Sequence, residues 1–176
     1  LSRMQLKKAL SAGAVWLQTG KKQERFRRAT REPFPNSILH VHFDAAILAL
    51  IPPTPRLLAD EKHYSVWVKP TGLLSQGSLQ GDHCSLLRMA EQQLNRKAFL
   101  VHRLDREASG LMLVAHNEKA AAALSGLFQN HTIQKYYLVT VHGKVAIAEL
   151  PFCIDAELDG KASATWINHT QYEPGT

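Results

Sequence analysis

His102-Arg103-Leu104-Asp105-Arg106-Glu107-Ala108-Ser109-Gly110-Leu111 is a charged stretch set between two short apolar runs, residues 98–101 and 111–115. Such runs read as buried strands, so the charged segment between them is a loop held by the sheet on both sides. Asp105 lies between Arg103 and Arg106, and nearby cations favour the ionised, nucleophilic form of a carboxylate. A short Arg-x-Asp-Arg stretch is most often a solvated turn with salt bridges; the alternative is a carboxylate presented for chemistry. The protein-kinase catalytic loop also begins His-Arg, but there Asp follows Arg directly. Here Leu104 intervenes and no Asp-Phe-Gly follows, which sets that reading aside.

Working outward from the loop, Asn117 is placed to cap a helix in which Ala120, Ala123, Leu124, Leu127 and Phe128 recur at helical spacing, so the helix is expected to be core. It should end near Gln129-Asn130. Lys135 to Val141, rich in Tyr, Val and Thr, then reads as a strand stopped by Gly143, followed by weaker strands at Phe152–Ala156 and Ser163–Asn168. On the N-terminal side, Leu86, Leu87, Ala90 and Leu94 share one face of a helix over Cys84–Asn95, with Asp82 or Ser85 as its cap. Arg56–Asp60 and Tyr64–Val68 read as strands joined by a charged turn, and Lys69-Pro70-Thr71-Gly72 is a turn in which Gly72 is free to take positive φ.

Pro52-Pro53-Thr54-Pro55 is a stiff, extended linker, and the domain boundary is expected there, separating residues 1–52 from 56–176. Before it, Ser2–Ala12 is a short helix with one basic face, Ser2 as N-cap and Gly13 as its stop. Strands are expected at Ala14–Leu17 and Ile38–Phe43, and the apolar run Ala46–Ile51 is expected to be a further strand that closes the small domain. His40 and His42 share one face of their strand at a spacing that could ligate a metal, but no third ligand stands out and no metal site is expected. Lys7 and Lys8 on the helix, with Lys21, Lys22, Arg25, Arg27, Arg28 and Arg31 beyond it, form either a solvated basic face or a phosphate-binding surface.

The 176 residues, 45% of them hydrophobic, suffice for a packed core in one domain, or in a small domain and a medium one. The formal net charge of +6 suits a polyanionic partner without requiring one. Cys84 and Cys153 are too few and too far apart for a disulfide framework or a zinc site, which points to a reducing compartment, the cytoplasm. No apolar run is long enough to span a membrane, and none at the N-terminus resembles a signal peptide.

His102-Arg103-Leu104-Asp105-Arg106 followed by Ser109-Gly110-Leu111 resembles the signature loop of the RluA-type pseudouridine synthases, enzymes that isomerise uridine in ribosomal and transfer RNA. Two more stretches match in the family's order. Val66-Trp67-Val68-Lys69-Pro70-Thr71-Gly72-Leu73 resembles its Lys-Pro-x-Gly strand and turn, and Gln134-Lys135-Tyr136-Tyr137-Leu138-Val139 its Lys-x-Tyr-Leu strand. The N-terminal segment resembles, more loosely, a degenerate S4-like RNA-binding domain. The resemblance implies an α+β fold: a small S4-like α/β domain, then part of a catalytic domain with a mixed, mainly antiparallel sheet and flanking helices.

Carried over residue by residue, the resemblance makes Asp105 the catalytic aspartate, acting at ribose C1′ or at uracil C6. Tyr137 would stack on the uracil and sit near C5, and Arg103 would enter the stack that the flipped base leaves. His102, Arg106 and Lys69 join them on the RNA side, with Lys7, Lys8, Lys21, Lys22, Arg25, Arg27 and Arg28 on the S4-like domain. The resemblance also implies an isomerase that needs no cofactor and works as a monomer on RNA. Ala108 stands where the family usually has Thr. The family's Gly-Arg-x-His-Gln-like motif, whose strand bears the cationic partner of the aspartate, has no counterpart in these residues, so the expectation is either a protein that continues past Thr176 or a truncated relative. The competing expectation is a relative that keeps the fold and binds RNA without catalysis.

Overall fold

The computed structural model describes residues 1–143 and 149–171. The chain divides into two compact units, Leu1–Gln134 and Lys135–Thr176.

The first unit begins with helix α1, Arg3–Ser11, closed at its start by a capping box in which Ser2 and Gln5 satisfy each other's backbone N–H groups. At its end the Ala14 N–H donates to Ala9 O at 2.8 Å across Gly13, whose φ of 77° is left-handed. Strands β1 (Val15–Thr19), β2 (Lys22–Arg25) and β3 (Ile38–Val41) form an antiparallel sheet in the order β2-β1-β3. Val15 and Leu17 on one face of β1 pack with Ala9, Leu10, Phe26 and Leu48 into a small core. The run expected to be a closing strand is instead a helix, α2 (Ala45–Ala49). Asp44 decides this locally, because its Oδ1 accepts from the N–H groups of both Ala46 and Ile47 and starts a helical turn in residues of high helix propensity.

Beyond Pro52–Pro55, strands β4 (Arg56–Asp60), β5 (Tyr64–Lys69), β6 (Phe99–Leu100) and β7 (Gly110–Ala115) build a second sheet in the order β4-β5-β7-β6, every pair antiparallel. Helix α3 (Leu86–Leu94) is capped by Ser85 and not by Asp82: the Arg88 N–H donates to Ser85 Oγ, and Ser85 Oγ–H donates to Asp82 O. Its Leu86 and Ala90 close a core with Trp67, Leu73, Met112 and Val114. Helices and antiparallel sheets together make the fold α+β.

Helix α4 (Glu118–Gln129) starts at Asn117 as expected, but it is not core: none of its residues is buried, and Ala123 and Leu127 face solvent. A helical stripe needs a layer on each side to become core, and α4 meets β6 and β7 along one side only.

In the second unit, β8 (Phe152–Leu158) and β9 (Lys161–Ile167) form an antiparallel hairpin turned at Asp159-Gly160. Residues 135–141, expected to be a strand, carry no regular structure and pair with no strand among the described residues. A β-favouring composition becomes a strand only where a neighbouring strand supplies the ladder.

Within the first unit the two sheets meet through Asp82. Its N–H donates to Ala12 O at 2.9 Å, and its carboxylate pairs with Arg25 and Arg27. Gly13 must be glycine here, because a Cβ would collide with the Asp82 carboxylate. Trp16 Nε1–H adds a bond to Leu79 O at 3.1 Å, and the Arg25 guanidinium lies 4.2 Å over the Trp16 ring.

Candidate active site

Strand β5 ends at Lys69, which is fully buried, and the turn after it grips the loop that carries Asp105. Nζ of Lys69 donates to Leu73 O at 2.8 Å, Pro70 O at 3.2 Å and Arg106 O at 3.4 Å. The Gly72 N–H donates to the same Arg106 O at 2.8 Å, from a backbone whose φ of 86° favours glycine. Ser75, almost wholly buried, takes the other side: its Oγ–H donates to Leu104 O at 2.5 Å and its Oγ accepts the Leu104 N–H at 3.0 Å. The residues on both sides of Asp105 are thus tied to one turn.

The loop is also held where it begins. His102 Nε2 accepts the Leu113 N–H at 3.0 Å, and its ring stacks on Phe128 of α4 with centroids 4.2 Å apart. His102 thus anchors the start of the loop to β7 and α4, which gives it a structural role there. The Lys69 ammonium is likewise engaged inside the protein, with three backbone carbonyls as its acceptors. Burial lowers the Lys69 pKa, while the carboxylates of Glu107 and Asp105 pull it back up.

Asp105 itself is exposed, as are Arg103 and Arg106. Among the described residues neither arginine approaches the Asp105 carboxylate within salt-bridge distance. The buried Lys69 ammonium interacts electrostatically with the Asp105 carboxylate. The arrangement presents a carboxylate to solvent on a peptide pinned at both neighbours, open to a large substrate and flanked by two exposed guanidinium groups. Tyr137 belongs to the second unit, where it is exposed.

Around the N-terminal sheet and helix α1 the basic residues divide. Lys7, Lys8, Lys21, Lys22 and Arg28 are exposed. Arg25 and Arg27 turn inward to Asp82, and Arg25 also donates to Gly13 O and, at 2.7 Å, to Ser78 O. Their charges are compensated inside the fold, so neither is the open phosphate ligand that composition suggested. Burial lowers the Arg25 pKa; Asp82 opposes that shift. His40 Nε2 lies 2.6 Å from Gln18 Oε1, and among the described residues no group of acidic, His or Cys side chains could hold a metal. No described helix is long and apolar enough to cross a membrane.

Sequence reasoning missed Ser75 as a loop-holding residue. The available signal was faint: a serine in an apolar run, three residues beyond Gly72. Asp82 was noticed only as a possible cap, since a pairing with residues more than 50 positions away leaves no local pattern.

A family model described as RNA pseudouridylate synthase matches residues 63–174. The chain is 36% identical over 118 residues to the dual-specificity RNA pseudouridine synthase RluA of Vibrio vulnificus, covering 62% of this chain and 47% of that one. It is 38% identical over 80 residues to tRNA pseudouridine synthase C of Haemophilus ducreyi, covering 44% and 33% respectively. Over 87 residues it is 36% identical to the uncharacterized RNA pseudouridine synthase MG209 of Mycoplasma genitalium, covering 49% and 28%. The chain therefore spans from about a quarter to about half of the length of these relatives.

Proposed function

Because the chain belongs to the RNA pseudouridylate synthase family, we propose that it isomerises uridine to pseudouridine in ribosomal or transfer RNA, with Asp105 as the catalytic carboxylate. The reaction cuts the bond from ribose C1′ to uracil N1, turns the base and joins C5 to C1′. Nothing is oxidised, hydrolysed or transferred to a second molecule, so no cofactor is needed. The observation that carries the assignment is the exposed Asp105 between Leu104 and Arg106, whose peptides Ser75, Gly72 and Lys69 hold.

A uridine stacked in folded RNA must be flipped out, at a cost of a few kcal/mol that protein contacts offset. Arg103, exposed two residues before Asp105, fits the space the base vacates, since a guanidinium plane both stacks and binds phosphate. Tyr137 supplies the planar surface for the flipped uracil, and its hydroxyl assists proton removal from C5. Residues 1–52 act as an S4-like RNA-binding module, with Lys7, Lys8, Lys21, Lys22 and Arg28 as its open cations. Residues 56–176 belong to the catalytic domain, and the protein works as a monomer in a reducing compartment, the cytoplasm being the simplest.

The test is tritium release from C5-labelled uridine in bulk ribosomal and transfer RNA, with Asp105→Asn beside the wild type. Turnover that vanishes in Asp105→Asn while RNA binding persists supports the assignment. Equal turnover removes Asp105 from the mechanism, and a wild type that binds RNA without turnover favours the non-catalytic relative.

A further inference from the structure

Helix α3 borders two adjoining cavities that share Arg88 and Glu91. One, of about 240 Å³, reaches Gln76 and Gly77, immediately after the Ser75 that holds Leu104 beside Asp105. The other, of about 460 Å³, runs past the C-terminal end of α3 to Arg28, Arg96 and Lys97. Together they make a groove leading from the segment that grips the Asp105 loop, along α3, to the N-terminal sheet.

The far end of the groove is cationic: Arg28, Arg88, Arg96 and Lys97 line it against one carboxylate, Glu91. Arg88 is spent on Glu91 and Arg96 on Asp60. Arg28 and Lys97 are exposed and have no ion pair among the described residues. Exposed Gln92 and Asn95 supply neutral amides in the same cavity. A cation after α3 could be explained by the helix's terminal carbonyls alone. Arg28 could not, because it comes from the other sheet. It is brought there by its neighbour Arg27, whose pairing with Asp82 is part of what holds the two sheets together. Two free cations from separate modules, with neutral hydrogen-bonding groups alongside, match a sugar-phosphate strand better than a compact anion.

We propose that this groove is a phosphate subsite for the RNA strand flanking the modified uridine, with Arg28 and Lys97 as its two phosphate-binding cations. The inference rests on RNA as the substrate but assigns a site separate from the Asp105 loop. Its test is equilibrium binding of a fluorescein-labelled oligouridylate and of unmodified transfer RNA to the full chain across a salt series. Three proteins are compared: wild type, Arg28→Gln with Lys97→Gln, and Lys62→Gln with Lys119→Gln, which removes the same charge from exposed residues that do not line the groove.

Two lost contacts to a single strand should lower the slope of log K against log salt by about 1.4. That loss is expected in the groove variant, with a clearly smaller change in the Lys62/Lys119 variant. An unchanged slope in the groove variant overturns the proposal, as does an equal loss in both variants or a wild type that binds neither RNA. Tritium release is read in parallel: a wild type with the predicted slopes but no turnover would remove the isomerase reading and leave the subsite standing.

Discussion

Ser75→Ala isolates the grip on Asp105 without touching a group that meets RNA. The substitution removes one oxygen from an almost fully buried site, and with it two hydrogen bonds to the peptide groups of Leu104, at 2.5 and 3.0 Å. Losing a buried partner costs about 1–3 kcal/mol for each group left unsatisfied. Taking about 1–1.5 kcal/mol for each bond, the low end of that range, gives about 2–3 kcal/mol, or about 30- to 140-fold in the population of the loop conformation that presents Asp105. This is an upper figure, since Gly72 N–H and Lys69 still hold Arg106 O on the far side. Steady-state tritium release should show kcat falling by roughly tenfold or more with KM within about twofold, because phosphate contacts outside the loop dominate binding. Ser75→Thr, which keeps the hydroxyl, should recover most of the loss. Wild-type kcat in Ser75→Ala would refute the reasoning, as would a loss that Ser75→Thr does not recover although both variants melt like the wild type.

Asp82→Asn should leave Arg25 and Arg27 without their shared carboxylate. Breaking a buried pair costs about 3–5 kcal/mol, and because these side chains keep some exposure the expected loss is about 2–3 kcal/mol. Thermal unfolding and limited proteolysis of the 42–55 segment would register it; an unchanged melting curve and cleavage pattern would contradict the pairing. Burial raises the Cys84 pKa, with Arg106 opposing the shift, so its thiolate is scarcer at neutral pH than that of an ordinary thiol. Iodoacetamide labelling followed by peptide mapping should therefore find Cys84 slow at pH 7 and accelerating only as pH rises past the usual thiol range. Labelling at pH 7 at the rate of a free small thiol would refute it.

Features governed by nearest neighbours were readable from the amino-acid order. Ser2, Ser85 and Asn117 mark helix starts because a cap acts within three residues of itself. The apolar runs flanking residues 102–109 announced a loop between two strands, and β6 and β7 lie on either side of it. Even a local rule misfired where a second local rule overrode it, as when Asp44 turned an apolar run into α2.

What sequence could not supply is the fate of each charge and each face, because that depends on partners far along the chain. Arg25, Arg27 and Arg28 are chemically alike and nearly adjacent, yet Asp82, more than 50 residues away, takes the first two inward and leaves the third outside. Lys69 stands in a motif that suggests an RNA contact, and only the fold brings the carbonyls of Pro70, Leu73 and Arg106 around its ammonium. Residues 135–141 have the composition of a strand without a ladder partner among the described residues, and α4 has a core stripe without burial. Caps and turns are settled by bonds across a few residues, so sequence by itself determined them here. Burial and charge pairing are settled by which distant groups converge, and only the tertiary structure decided that.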